Sequence, residues 1–362
     1  MKIAVLVSGG VDSAVVVHKL YQEGHDLHLF YIRISNETGE GECSYEEDIE
    51  MCQLIASKYK LPLTEVSLHQ EYWDYVMDYA LKTVKSGLTP HPDMMCNKII
   101  KFGFFEDRWG KDFEKTATGH YASIINKDGK YYLATACDPV KDQTDFLAQL
   151  SQKQLSHLWF PLGEMPKSQV REIAKEVSLP NANRKDSQGI CFLGKINYKD
   201  FVRRHLGEYK GDVIEIETGK KIGNHDGYWF YTIGQRKGLG LGGGPWFVVK
   251  KDIPGNIIYV SKGYDTPLQY GREITLSEPN WITVNPFEDG SNEIDVAFKI
   301  RHVPEFHTGK LSKIKDFEDS NVNSKELLLM SEQDVQGIAP GQYAIIYSPD
   351  KKICLGSALI TL

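Results

Sequence analysis

Lys2-Ile3-Ala4-Val5-Leu6-Val7-Ser8-Gly9-Gly10-Val11-Asp12-Ser13, residues 2–13, decides how the chain is built. A β-branched apolar run stops at Ser-Gly-Gly, and a stretch with helical spacing (Val15, Val16, Leu20) then runs from Val11 to Gln22. Strand, glycine turn and helix in that order open a βαβ unit. Two glycines let the backbone curl so that successive N–H groups face one point, and the helix N-terminus adds its positive end. The stretch reads as a phosphate cradle. It lacks the lysine of the common nucleotide P-loop, which suits a pyrophosphate that leaves intact after adenylation. Asp12 stands at the helix start, where it either caps the helix or holds Mg²⁺ against the phosphates.

Working outward, Leu27–Ile34 and Leu63–Ser67 read as strands and Thr116–Thr118 as a short buried one. Ser44–Tyr59, Tyr72–Val84 and Asn97–Trp109 have helical spacing. This alternation predicts an α/β fold with a doubly wound parallel sheet. Asp128-Gly129, between Ala122–Ile125 and Tyr131–Ala134, signals a hairpin. Helices are expected at Gln143–Leu150 and Lys167–Val177. Beyond residue 205 the pattern turns to short strands punctuated by glycine: Asp212–Glu215, Gly227–Ile233, Trp246–Lys250, Ile257–Val260, Arg272–Leu276, Asp295–Ile300, Leu327–Met330 and Gln342–Tyr347. Their spacing suggests one or two small antiparallel barrels. The expected domains are a catalytic 1–205, a central β-rich 206–267 and a C-terminal β-barrel 268–362.

A chain of 362 residues fits two or three domains. No run of about 18 apolar residues exists to span a membrane, and the apolar N-terminal run is too short for a signal peptide. Six scattered cysteines without a CxxC pair leave zinc and iron–sulfur frameworks unsupported. The cytoplasm is the expected compartment. The net charge of −7 speaks against a nucleic-acid partner only at first sight. Seven acidic residues crowd into positions 36–50 without a base, and the rest of the chain is neutral. Basic patches remain at Lys98/Lys101, Arg203/Arg204, Arg236/Lys237 and Lys310/Lys313/Lys315.

Two cysteines sit in settings that favour thiolate. Cys96, in His91-Pro92-Asp93-Met94-Met95-Cys96-Asn97-Lys98, is expected at the start of a helix carrying Lys98 and Lys101. Cys191, in Lys185-Asp186-Ser187-Gln188-Gly189-Ile190-Cys191-Phe192, follows Arg184 and Lys185 and a glycine that permits close approach. Alone, each is more often a buried structural cysteine; beside a phosphate cradle in one chain they read as reactive. Cys43, Cys52, Cys137 and Cys354 read as packing residues. His120 follows a short strand at the end where ligands collect in open α/β sheets, though a lone histidine is usually a satisfied core residue. Arg236-Lys237 among glycines reads as a contact for RNA or for the catalytic loop; Trp229, Phe230, Tyr231, Trp246 and Phe247 read as barrel core. The acidic run at 37–50 reads as a solvated helix start, with a docking site for a sulfur donor as the alternative.

SGGVDS resembles the ATP loop of the adenylating N-type ATP pyrophosphatases. Together with PDMMCNKIIKF, ATGHYA (117–122), KDQTDFL (141–147), FPLGEMPKSQVREIA (160–174), KDSQGICFLG (185–194) and YTIGQRKGLGLGGGPWFVV (231–249), it resembles the bacterial tRNA-specific 2-thiouridylase family over nearly the full length, in the family's order. That resemblance implies an adenine-nucleotide α-hydrolase-like catalytic domain. It implies ATP, with Mg²⁺ at Asp12, held by Leu6, Val7, Ser8, Gly9, Gly10, Val11, Asp12 and Ser13, with Gly119 at the adenylate and Tyr31 where the family usually has methionine. Cys96 is then the nucleophile and Cys191 the persulfide carrier. His91, Pro92 and Asp93 approach the target base. His120, Lys141, Asp142, Gln143, Arg301, His302 and Gln342 contact the tRNA anticodon stem-loop. The chain departs from the family's usual residues at His91, Ile99, Thr144-Asp145 and His302-Val303-Pro304. The implied reaction adenylates the C2 oxygen of a wobble uridine and replaces it with sulfur from a donor such as a cysteine desulfurase or a sulfur relay protein. The alternatives are another adenylating ATP pyrophosphatase, amide-forming or lysine-ligating, which needs no cysteine pair, and a non-catalytic RNA-binding protein.

Overall fold

The computed structural model describes residues 1–34, 45–185, 198–264, 266–314 and 326–361. In the N-terminal part, β1 (Lys2–Leu6), β2 (Asp26–Arg33), β3 (Leu63–Ser67) and β4 (Lys115–Ala117) are followed by a hairpin, β5 (Ser123–Lys127) and β6 (Lys130–Ala134), and by β7 (Leu158–Trp159). Five of these form a parallel sheet in the order β3-β2-β1-β4-β7. Register runs Lys2↔Asp26 to Leu6↔Phe30 on one side of β1 and Ile3↔Lys115 to Val5↔Ala117 on the other. Ile3 and Val5 join the core that includes α1 (Val11–Gln22), while Ala4 joins the opposite core with Phe30 and Phe105. Covered on both faces, β1 reads as a continuous apolar run rather than an alternating one. Helix α2 (Tyr45–Tyr59) covers the sheet beside α1.

The hairpin forms as expected, with Asp128 and Gly129 both at positive φ (52° and 76°), as a two-residue turn demands. Its β6 pairs with the last strand of the chain through Ala134↔Ile353 and Leu133↔Cys354. The second sheet holds β8 (Gly211–Glu215), β9 (Lys221–His225), β10 (Trp246–Asp252) and β11 (Ile257–Lys262) in the order β10-β11-β8-β9. Its β8–β11 pair is parallel, so this sheet is mixed rather than antiparallel. Then β12 (Tyr270–Trp281), β13 (Glu293–Lys299), β14 (His307–Lys313), β15 (Leu327–Gln336), β16 (Tyr343–Tyr347) and β17 (Ile353–Ile360) close one six-stranded barrel, β12-β15-β14-β13-β16-β17, with β17 returning to β12.

Several expectations fail for local reasons. Gln143–Leu150 contains only the 3₁₀ turn Thr144–Leu147. There Asp142 takes the Ala136 N–H and the Thr144 hydroxyl, and Asp145 takes the Phe146 N–H; such side-chain bonds compete with the helix. Gly227–Ile233 is not a strand. Its aromatics form the 3₁₀ turn Tyr228–Phe230 and pack inward, Tyr228 donating to the Lys85 carbonyl. The helix around Cys96 starts at Pro92, earlier than expected, and runs as a π-helix over Cys96–Phe104. Strands β7, β9, β14 and β17 had no counterpart in the sequence reading.

Candidate functional site

The glycine turn expected between strand and helix forms between β1 and α1. Gly9 has φ +70°, and a Cβ there would lie 2.7 Å from the Asp48 carbonyl oxygen and 2.9 Å from Arg184 Nη1, so glycine is required. The Gly9 carbonyl accepts from Asn181 Nδ2 at 2.8 Å and Arg184 Nη1 at 3.1 Å, and Arg184 also grips Asp48 of α2. Ser13 donates to the Gly10 carbonyl at 3.0 Å and accepts the Ser8 N–H at 3.3 Å, closing the loop on itself. Leu6, Val7 and Val11 run into and out of this turn from β1 to α1. Gly119, just beyond β4, is so close that its Cβ would stand 3.0 Å from the Ser13 nitrogen and 3.2 Å from Asp12 Cβ. The loops after β1 and β4 therefore meet at the topological switch point of the sheet, the usual ligand crevice of open α/β folds. Tyr31, half-buried on β2, lies toward Asp48 and Cys52, and burial raises its hydroxyl pKa.

Asp12 does not cap its helix; the N-cap is Gly10, which has no side chain to cap with. Instead Lys167 donates to both Asp12 oxygens, at 2.6 and 2.8 Å, and the Tyr121 hydroxyl donates to Oδ1 at 2.7 Å. Lys167 stands 155 positions further along the chain, at the first residue of the helix Lys167–Glu176. Sequence reasoning missed Lys167, Tyr121 and Asn181; the available signals were Lys167 inside FPLGEMPKSQVREIA and Tyr121 inside ATGHYA. Among the described residues no group of three metal-ligating side chains exists.

Cys96 is not at a helix start. It lies one turn in, at the first residue of the π segment, 1% exposed and inside an apolar cluster. Such π segments are frequent at functional sites. Lys98 is spent on Gln149 Oε1 at 2.9 Å, and Asn97 ties the helix to the Phe146 carbonyl at 3.1 Å. Cys191 and Cys43 lie outside the described residues. Burial pushes the Cys52 thiol up to about 12 and the Cys354 thiol well above its ordinary value; the exposed Cys137 is also raised.

A cavity of about 630 Å³ opens where the helix start meets the central sheet and the barrel. It gathers His91, Pro92, Asp93, Arg301, His302 and Gln342, together with Asp145, Phe146 and the aromatics Trp229–Tyr231. Lys141, Asp142, Gln143 and His120 are not in its lining. Asp142 is buried and engaged by Ala136, Thr144 and Lys299 (3.5 Å). Gln143 holds the Tyr121 N–H. His120 bonds Thr118 at 2.7 Å between the Phe102 and Phe160 rings, and burial, then the Lys101 charge, keep its pKa well below the ordinary value. Arg301 donates to the carbonyls of Gly337 (2.8 Å) and Ile233 (3.4 Å), joining barrel to central sheet. Arg236 lies over the Tyr264 ring, 5.7 Å from its centroid. A larger groove behind α1, about 760 Å³, contains none of the candidate site residues.

Family models match three successive stretches: a tRNA methyl transferase HUP domain at 1–195, a tRNA methyl transferase PRC-barrel domain at 199–262 and an aminomethyltransferase beta-barrel domain at 271–360. The tRNA-specific 2-thiouridylase MnmA 1 of Bacteroides thetaiotaomicron is 58% identical over 362 residues, covering 100% of both chains. The tRNA-specific 2-thiouridylase MnmA of Parabacteroides distasonis is 56% identical over 99% of both. Among solved structures, the U34-tRNA thiolase NcsA from Methanococcus maripaludis overlaps at TM-score 0.34 and 17% identity, covering 56% of this chain and 64% of that one; so loose an overlap carries no argument. With relatives at this identity over its whole length, the chain belongs to the tRNA-specific 2-thiouridylase family.

Proposed function

We infer that this protein is a sulfurtransferase that converts a wobble uridine of tRNA to 2-thiouridine, using ATP to activate the C2 oxygen. The observation that carries the reading is the full-length identity with tRNA-specific 2-thiouridylases. The crevice between the β1 and β4 loops suits the nucleotide, with the N–H groups at the start of α1 facing its phosphates. Asp12 would be the carboxylate that holds Mg²⁺ there, beside the Lys167 and Tyr121 groups that engage its oxygens. A bound magnesium ion supplies charge neutralisation there.

The uridine C2 oxygen attacks the α-phosphorus and pyrophosphate leaves. The outer sulfur of a Cys191 persulfide then delivers to C2, and AMP leaves carrying the old oxygen. Cys96 thiolate attacks the inner sulfur of Cys191, either before delivery, freeing sulfide, or after it; both routes end in a Cys96–Cys191 disulfide. Arg184, anchored on Gly9, precedes Cys191 by seven residues, a tether of at most about 25 Å, so delivery within reach of the cradle is sterically open. The base is splayed from its stack into the cavity, beside His91, Pro92 and Asp93. The anticodon stem-loop then lies across a 206–267 central domain and a 268–362 barrel flanking a 1–205 catalytic domain. A cysteine desulfurase or a relay protein loads Cys191, in the cytoplasm where tRNA is found. Nucleoside mass spectrometry of tRNA from a strain lacking the protein tests this: 2-thiouridine should vanish and return with the gene. Unchanged 2-thiouridine overturns the reading.

A further inference from the structure

Asp145 is 2% exposed, in the turn Thr144–Leu147, yet it faces the cavity's side chains rather than the core. One of its oxygens takes the Phe146 N–H at 3.1 Å and the other lies 2.8 Å from His302 Nδ1. A carboxylate so buried is costly unless paired, and the imidazole is the cation within reach. His302 keeps 46% of its side chain exposed and rests on the Phe146 ring, 4.5 Å between centroids. His91 approaches the same ring at 5.6 Å. His91 and His302 thus meet across one phenyl ring, with the Asp145 carboxylate held against His302.

We propose that Asp145 is a positioning residue that keeps His302 charged and oriented, so that His302 Nε2–H grips a backbone phosphate of the tRNA and binding takes up a proton. The proposal rests on the tRNA reading above. Nδ1 is committed to Asp145, which leaves Nε2 as the free donor on the half-exposed side of the ring. Arg301, the neighbouring cation, has its Nη2 engaged by two backbone carbonyls.

The charges around His302 decide the sign. The Asp145 hydrogen bond raises its pKa, burial lowers it, and Asp145 and Asp142 raise it further against the Lys299 ammonium. The outcome is a raised value. His91, which Asp93 and Asp145 push up and His302 pushes down, is lowered by burial and is neutral near pH 7. His302 is therefore the charged member below its raised pKa and loses the charge as pH rises through it. A phosphate favours the charged form, so tRNA affinity falls as pH rises through that window.

The test is tRNA affinity by fluorescence anisotropy from about pH 6 to about pH 8.5, a range that brackets a raised histidine, on the full chain. Affinity of the unsubstituted protein should weaken by about tenfold across it, the effect of a one-unit pKa change on binding. His302→Gln, at a half-exposed site that tolerates change, should be flat, at the parent's high-pH affinity. Asp145→Asn, which can still accept from Nδ1, should keep the slope but move its midpoint to lower pH. Superimposable profiles for parent and Asp145→Asn, or a retained slope in His302→Gln, overturn the proposal. Failure of the parent to bind tRNA at every pH overturns both this proposal and the function on which it rests.

Discussion

Asp12→Asn separates catalysis from scaffolding at the cradle. At 2.6–2.8 Å, with an effective dielectric near 20, the gross attraction between Lys167 and Asp12 is about 6 kcal/mol. Desolvation takes back most of it, because the two side chains are only 12% and 30% exposed. Removing the carboxylate charge leaves an ammonium short of a partner and should cost about 2 kcal/mol of stability. A scaffolding role predicts little beyond that, and predicts that Asp12→Asn/Lys167→Met, which removes both charges, recovers stability and activity together. A role at the phosphates predicts otherwise. Losing one preorganised charge at a reacting centre costs about 10²–10³ in rate, so tRNA-dependent AMP release should fall by about that factor in Asp12→Asn while tRNA affinity stays within about threefold. The double variant should then melt close to the parent and still release no AMP. The assay is AMP release from labelled ATP, with thermal melting of the same three samples. AMP release within a few fold of the parent in Asp12→Asn, or activity recovered in step with stability in the double variant, refutes the phosphate role.

Four other outcomes follow from the geometry. Binding of tRNA should weaken steeply with salt despite the acidic total charge, and Arg236→Ala should flatten the log–log slope by about 0.7–0.9 for each phosphate the arginine neutralised; a parent slope near zero would dispose of the basic-patch argument. Arg301→Ala should instead lower the melting temperature, by about 2–3 kcal/mol in stability, because two backbone carbonyls lose a charged donor; an unchanged melt with a flattened salt slope would return Arg301 to the RNA. Cys191→Ser should fail to accept labelled sulfur from a cysteine desulfurase. Cys96→Ser should accept it without passing it to uridine, and label on Cys191→Ser with normal thiolation would show the wrong carrier was chosen. Asp142→Asn should destabilise by about 3–5 kcal/mol, since Lys299 is 2% exposed and would be left as a buried unpaired charge; a melt like the parent's would mean water or another group reaches Lys299.

Where the sequence was legible, a local rule had no competitor. Buried on both faces, β1 is a continuous apolar run, and the glycines after it serve one tight turn, so β1, loop and α1 could be read within a residue. Asp128-Gly129 likewise admits a single kind of turn. The misreadings occur where tertiary contacts outbid local pattern. Tyr228-Trp229-Phe230-Tyr231 is an aromatic run of the kind enriched in strands, yet Tyr228–Phe230 forms a turn whose Tyr228 and Phe230 are drawn inward. The 142–145 segment spends its carboxylates on Ala136, Thr144, Lys299 and His302 instead of on a helix. Strands such as His307–Lys313 carry few large apolar residues, because a barrel strand with one solvated face needs only alternate small or aliphatic side chains, and so they leave little trace in one sequence.

The ten RNA-facing residues implied by resemblance divide for a physical reason. Those on the helix start and on the barrel, His91, Pro92, Asp93, Arg301, His302 and Gln342, converge because one hairpin joins the two bodies: β6 hydrogen-bonds to β17, and the turn that follows it brings Asp142 against Lys299 of β13 and Asp145 against His302. The others, His120, Lys141, Asp142 and Gln143, lie on or beside that joint, and Asp142 and Gln143 are used up in making it. A motif shared by relatives does not distinguish a residue that touches substrate from one that fixes the wall the substrate touches. Burial and hydrogen-bond partners bear on the distinction: Asp142 is buried and held by Ala136, Thr144 and Lys299, whereas Gln143 is half-buried. Asn97, whose side chain holds the Phe146 carbonyl, ties the Cys96 helix to the turn that carries Asp145 and so to His302 on the barrel side of the cavity.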